Sequence, residues 1–281
     1  MAKVKPLSEQ TLMNNYVFYK VMREPKRIKP LLEFILHRKI KRISLVESEK
    51  TLKERFAAKG ARLDLYVEDE DGIVYDVEVQ TTDNDDLSLR MRYYQGMLDQ
   101  TFFPTGADYN EMRKSFVIFI CNYDPFKEGR YVYTFQNRCD QNHKLLFGDD
   151  AVKVVVNTKG TKGRISQQLK EVIMYLDHEE VTGSFSRELD KAVKALKESE
   201  EGRQEYMMLM AFGAEQKAAG KYMGKVEQIR GWYNDDSTIP ATEAAKILRV
   251  TDAQFERVLS LIKENPELDD DDIAAQVNWR K

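Results

Sequence analysis

Between Asp64 and Gln80 the chain gathers Asp64, Asp76, Glu78 and Gln80 in a stretch that otherwise alternates apolar and polar residues. Carboxylates held close together repel one another and attract a hard cation; Mg²⁺ is commonly bound by one or two carboxylates with waters and phosphate oxygens. The stretch ARLDLYVEDEDGIVYDVEVQ, residues 61–80, reads as a β-hairpin. Leu63, Leu65 and Val67 alternate with Asp64, Tyr66 and Glu68 before the turn Glu70-Asp71-Gly72. After it, Ile73, Tyr75, Val77 and Val79 alternate with Val74, Asp76, Glu78 and Gln80. Period-two alternation around Asp-Gly is a strong short-range hairpin signal. A turn centred on Asp71 pairs residues whose numbers sum to 142. Leu63, Leu65 and Val67 then oppose Val79, Val77 and Tyr75 on an apolar face. On the other face Asp64 opposes Glu78, with Asp76 and Gln80 beside it. Directly opposed Cβ atoms lie about 4.5–5.5 Å apart, so two facing carboxylates call for a compensating charge. The alternative is a polar face that is simply solvated, as in many antiparallel hairpins.

Other elements must position that hairpin. Residues 7–22 predict a helix, and residues 28–38 a second one after Pro25, with Ile28, Leu31, Leu32 and Ile35 on one face and Glu33 off it. Residues 40–46 alternate as a strand, and polar residues 51–59 connect it to the hairpin. Beyond the hairpin, TTDNDD (81–86) has helix-start chemistry, and a helix follows over 87–101 with Arg90 and Tyr94 one turn apart. The continuous apolar run SFVIFICN (115–122) predicts a strand buried on both faces. Residues 131–136 and 152–156 supply further strands. From Arg164 onward the pattern is helical, over 165–176 and 185–197, then along a charged stretch at 200–228. Residues 239–262 look like a helix-turn-helix, in which Arg257 and Lys263 are the main basic residues, and Asp269 to Asp272 suit the cap of a last helix. This order argues for an α/β (α+β) fold with a mixed sheet. It divides into a domain over 1–180, a helical extension over 181–236 and a small helical domain over 237–281.

The 281 residues are 42% hydrophobic and 32% charged, with net charge −3, which suits a folded core and a solvated surface. The longest apolar run, Phe116 to Cys121, is too short to span a bilayer. The start, MAKVKPLSEQ, lacks the apolar segment of a secretory signal. Cys121 and Cys139 have no metal-type spacing, and a reducing cytoplasm is the expected location. Charge is uneven: residues 1–62 carry 16 Lys and Arg against 6 Asp and Glu. Such an excess is either a footprint for a phosphate backbone or a lysine-rich helix surface. His37, His143 and His178 show no ligand spacing, and no phosphate-cradling glycine loop or nucleophilic triad stands out.

The string KGARLDLYVEDEDGIVYDVEVQ, followed by LRMRYYQGMLD, SFVIFICNYDPF, YVYTFQNRC and VVVNTKG, resembles the PD-(D/E)XK nuclease superfamily. Its nearest branch there is the transposase-associated, recombination-promoting (Rpn-like) nucleases. The motif is Asp64, thirteen intervening residues, then Glu78-Val79-Gln80, and the similarity spans roughly residues 11–176. The resemblance implies a restriction-endonuclease-like mixed sheet flanked by helices, followed here by a helical C-terminal region. It implies a metal-dependent endonuclease acting on DNA, with Mg²⁺ (or Mn²⁺ or Ca²⁺) held by Asp64, Glu78 and the Val79 carbonyl. Gln80 stands where many members carry Lys, so it can orient water but adds no charge. Beside the site, Arg62, Arg90 and Tyr94, with Lys39, Lys41 and Arg42 from the basic N-terminal region, are the candidate DNA contacts. For Arg90 the alternative is a salt bridge to Asp85 or Asp86. Relatives often carry an acid just before the first helix, where this chain has Asn14-Asn15, and Glu33 is a possible substitute. A weakened nuclease fold acting as a DNA- or protein-binding module is the rival reading. The C-terminal helices suit homo-oligomerisation, and no membrane association is expected.

Overall fold

The computed structural model describes residues 5–47, 65–102, 106–235 and 240–279. Asp64 and Arg62 lie outside the described residues. Contacts divide the chain into one unit over Met1–Arg203 and a second over Gln204–Lys281.

The first unit is built on a mixed six-stranded sheet flanked by helices, as expected. In chain order its strands are β1 (Ile43–Glu47), β2 (Leu65–Asp69), β3 (Val74–Gln80), β4 (Ser115–Cys121), β5 (Val132–Phe135) and β8 (Ala151–Asn157). They lie in the order β1-β2-β3-β4-β8-β5. β3, β4 and β8 run parallel at the centre, while β1, β2 and β5 are antiparallel to their neighbours. The hairpin has the register derived above: Leu65 pairs with Val77, Tyr66 with Asp76 and Val67 with Tyr75. Asp69 shapes its turn. One carboxylate oxygen accepts from the Asp71 and Ile73 amides, both at 3.0 Å, and the other accepts from the Tyr75 hydroxyl at 2.6 Å. Gly72 takes φ 77°, which only glycine adopts without strain. The pairing of Asp64 with Glu78 lies outside the described residues.

Five helices of this unit are α1 (Asn15–Met22), α2 (Pro25–Leu36), α3 (Leu87–Phe102), α4 (Gln167–His178) and α5 (Ser184–Glu198). α3 covers one face of the sheet. Its Leu87, Met91, Tyr94 and Leu98 pack with Tyr66, Val74, Val117, Phe119, Tyr133 and Val155. α1 touches β3 from the other face, where Tyr75 stacks on Phe116 with ring centroids 5.4 Å apart. α5 packs on α1 and α4, burying Leu189 and Val193.

Three sequence expectations shift. The first helix begins at Asn15, not near Leu7, because Asn14 is its N-cap: the amide oxygen accepts from the Tyr16 and Val17 amides at 3.1 and 3.3 Å. The first strand begins at Ile43, because the Ile40 amide is bound by the Glu33 side chain at 2.9 Å. A short exposed hairpin of β6 (Arg138–Cys139) and β7 (Asn142–Leu146) was not foreseen.

The second unit is helical. The end of α6 (Glu200–Asn234), with α7 (Ala241–Leu248), α8 (Asp252–Glu264) and α9 (Asp270–Ala275), closes a core that includes Val226, Ile229, Leu248, Phe255, Val258, Ile262 and Ile273. Thr251 caps α8 and Asp269 caps α9 through their side-chain oxygens. Arg230 binds Asp270 and the Leu268 carbonyl, both at 2.6 Å. Among the described residues, no helix is long and apolar enough to cross a membrane.

Candidate active site

β3 is central, so both of its faces are covered and all seven of its residues are buried. One face is aliphatic and aromatic: Tyr75, Val77 and Val79. The other carries Val74, Asp76, Glu78 and Gln80 beneath α3, beside Val117, Phe119 and Cys121 of β4. The solvated face considered from the sequence is therefore a buried one. Asp76 is 0% exposed and Glu78 1%. Burying ionised carboxylates is costly unless charge or hydrogen bonds compensate.

Part of that compensation comes from α3. The guanidinium of Arg90 donates through Nη1 to Gln80 Oε1 at 2.6 Å, and Gln80 Nε2 donates to Glu78 Oε2 at 2.9 Å. Arg90 Nη2 lies 3.5 Å from the same Glu78 oxygen and 3.5 Å from the Tyr94 hydroxyl. The guanidinium also sits over the Phe119 ring, 5.5 Å from its centroid. Burial works against the charge on Arg90, but Tyr94, Glu78 and Asp86 outweigh it and raise its pKa above the usual arginine value. Burial likewise raises the Tyr94 hydroxyl, and pushes the Cys121 thiol up to about 12. The Arg90 side chain is turned to the strand rather than to Asp85 or Asp86. Tyr94 is buried, and the tyrosine that α3 exposes is its neighbour Tyr93.

The backbone of Val79 is directed away from β4. The Gln80 carbonyl accepts from the Asn122 amide at 3.1 Å, and successive residues of a strand address opposite neighbours. The Val79 carbonyl thus faces the β2 side. At the carboxyl ends of β3, β4 and β8 opens a polar cleft of about 460 Å³, lined by residues that include Asn14, Asn15, Thr81, Asn122, Lys159 and Asp177. Asp177 binds Lys159 at 2.7 Å, His178 at 2.9 Å and the Thr158 hydroxyl at 3.0 Å. Sequence spacing did not single out Lys159 and Asp177, because a turn after β8 and the last turn of α4 meet only in the fold.

Asn14 and Glu33 take structural roles. Asn14 caps α1 and donates to Gln10 at 3.1 Å. Burial opposes the charge of Glu33, yet the Ile40 amide, Lys29 and Lys39 hold its carboxyl below the usual range. It staples α2 to the following chain through the Ile40 amide. Lys39 is exposed beside Glu33, Lys41 pairs loosely with Asp71 at 3.2 Å, and Arg42 is exposed.

Carboxylate oxygens are the hard donors that Mg²⁺, Mn²⁺ and Ca²⁺ prefer, and Glu78 with Asp76 supplies them on one buried face. Among the described residues, no group of three His, Cys, Asp or Glu side chains is assembled for a metal.

The mixed six-stranded sheet flanked by helices is consistent with a restriction-endonuclease-like fold. The chain belongs to the PD-(D/E)XK nuclease family transposases: that family's profile matches residues 12–222. The match runs through all six sheet strands and into α6. No curated protein and no solved structure matches the chain significantly. Nucleases of this type generally use divalent metals, and DNA is the substrate class the family implies.

Proposed function

We propose that the protein is a metal-dependent DNA endonuclease whose working residues are Asp64, Glu78 and Gln80. The observation that carries this reading is the burial of Glu78 and Gln80 on the α3 face of a central strand, where apolar side chains would pack at lower cost. A divalent cation bound at Asp64, Glu78 and the Val79 carbonyl would offset carboxylate repulsion and polarise the scissile phosphate. Around it, Glu78 holds negative charge at a fixed depth, Gln80 presents a polar N–H, and Lys39, Lys41, Arg42 and Arg62 offer charge to the DNA backbone. Hydrolysis adds water to phosphorus, breaks one P–O bond and returns a proton to the leaving oxygen. Nicking of supercoiled plasmid in Mg²⁺ or Mn²⁺, compared with EDTA, tests this. Wild-type protein should nick only with the cation, and Asp64→Asn should not nick. Equal nicking by Asp64→Asn would remove that carboxylate from the site.

For the second unit we favour assembly over base recognition. Met207, Met208 and Phe212 of α6 are exposed, which suits a homo-oligomer contact. Light scattering of the full chain should report a dimer or larger species.

A further inference from the structure

Position 80 carries a neutral amide, yet a positive charge is built against it. We infer that Arg90 is a positioning residue of the active site that makes Gln80 act as a polarised donor; this rests on the nuclease reading above. The amide orientation is fixed by its neighbours. With Oε1 toward Arg90 and Nε2 toward Glu78, both contacts run from donor to acceptor. The reverse orientation would set N–H against guanidinium N–H and carbonyl against carboxylate.

Two consequences follow. Arg90 takes one lone pair of the Gln80 carbonyl and turns that end of the amide toward α3, so the end that Gln80 turns toward Glu78 is its donor end. It offers the second N–H of Nε2. A cation hydrogen-bonded to the carbonyl end of an amide also polarises the N–H end, since linked hydrogen bonds strengthen one another. Arg90 and Gln80 together then present a positively biased donor beside Glu78, suited to the negative charge that builds on a phosphate oxygen in the transition state. Tyr94 and Phe119 hold the guanidinium in place. The Arg90 side chain is 29% exposed while Gln80 is buried, so solvent reaches the Arg90 end of the pair.

The test compares Arg90→Met, Gln80→Lys and the double variant in the full chain. Single-turnover plasmid nicking is read in Mg²⁺ and Mn²⁺, and DNA affinity is read separately in Ca²⁺. Arg90→Met should slow nicking on the order of 100-fold, the usual loss for one transition-state donor, while DNA affinity stays within about threefold. Gln80→Lys in the Arg90→Met background should recover about tenfold or more, because it returns a charged donor to the same strand position. A merely structural Arg90 would not be rescued in this way. A readout independent of activity is the thermal-unfolding cycle of Arg90→Met with Gln80→Met, without metal: the two losses should be non-additive. Wild-type nicking rates in Arg90→Met, a fall in DNA affinity matching the fall in rate, a double variant no faster than Arg90→Met, or additive unfolding losses would each overturn the inference while leaving the nuclease reading intact. If wild-type protein fails to nick under every cation, the nuclease reading falls and this inference with it.

Discussion

The two faces of β3 share one backbone and the same burial, yet they are built from opposite chemistry. Tyr75, Val77 and Val79 meet Phe116, Ile118 and Ile120 as an apolar core layer. Asp76, Glu78 and Gln80, one residue out of phase, place carboxylates and an amide under α3, held in part by Arg90. Apolar burial needs no partner chosen atom by atom. The polar layer is stable only because specific groups answer it, and a protein that keeps such a layer gives up stability there. The comparison teaches that stability and chemistry are separable on a single strand, by residue parity.

Perturbing the polar layer should produce the largest effect, and it should be on rate. Glu78→Gln should lower metal-dependent nicking on the order of 1,000-fold, as removal of an essential charged group does. Melting temperature should change little, because relief from burying a carboxylate offsets the loss of its ion pair with Arg90. The apolar layer should behave in the opposite way. Ile118→Ala leaves a cavity where Ile118 pairs with Val77 and should cost about 2–5 kcal/mol of stability. Below its melting point the variant should nick at close to the wild-type rate.

A smaller effect is expected at Asp124, beyond β4. Burial works against its charge, but the Tyr133 hydroxyl and the amides of Gly129, Phe126 and Lys127 outweigh it and hold its carboxyl below the usual range. A carboxyl whose pKa is depressed by folding stabilises the protein above its unfolded pKa, about 3.9, and that contribution is lost as pH falls through the folded value. Asp124→Asn should therefore cost about 1–3 kcal/mol at pH 7. The gap to wild type should narrow in denaturant melts as pH drops below about 4. A constant gap down to pH 2 would mean that the charge is not what the loop uses. Smallest is the basic N-terminal surface. Replacing Lys39, Lys41 and Arg42 with Gln should weaken binding to unrelated DNA sequences several-fold and lower the salt slope by roughly one unit per lost phosphate contact. An unchanged slope would remove that surface from the DNA interface.

Much of this was legible in the sequence, and the exceptions have physical causes. The hairpin register follows from period-two alternation and the Asp71-Gly72 turn, and the structure keeps it. The continuous apolar run of β4 announced a strand covered on both sides. The Asn14 cap was readable too, since Asn is a favoured N-cap, but helical spacing upstream drew the helix too far back. What local pattern could not show is that the acid-bearing face is closed by α3. A strand's polar parity looks the same whether water or a helix lies over it. For the same reason Arg90 could be placed one turn from Tyr94, but its direction, toward Gln80, is set by how α3 docks. The cleft at Asp177 and Lys159 depends on the end of α4 meeting turns distant in sequence.

The most direct test of the polar layer as a cation site is the thermal shift produced by Mn²⁺ in wild type, Glu78→Gln and Ile118→Ala measured side by side. Ligand stabilisation grows with occupancy of the folded state. Wild type and Ile118→Ala should therefore gain the same increment from different starting temperatures, while Glu78→Gln gains little or none. An undiminished Mn²⁺ shift in Glu78→Gln would contradict the account, because the buried carboxylate of β3 would then have no part in holding the metal.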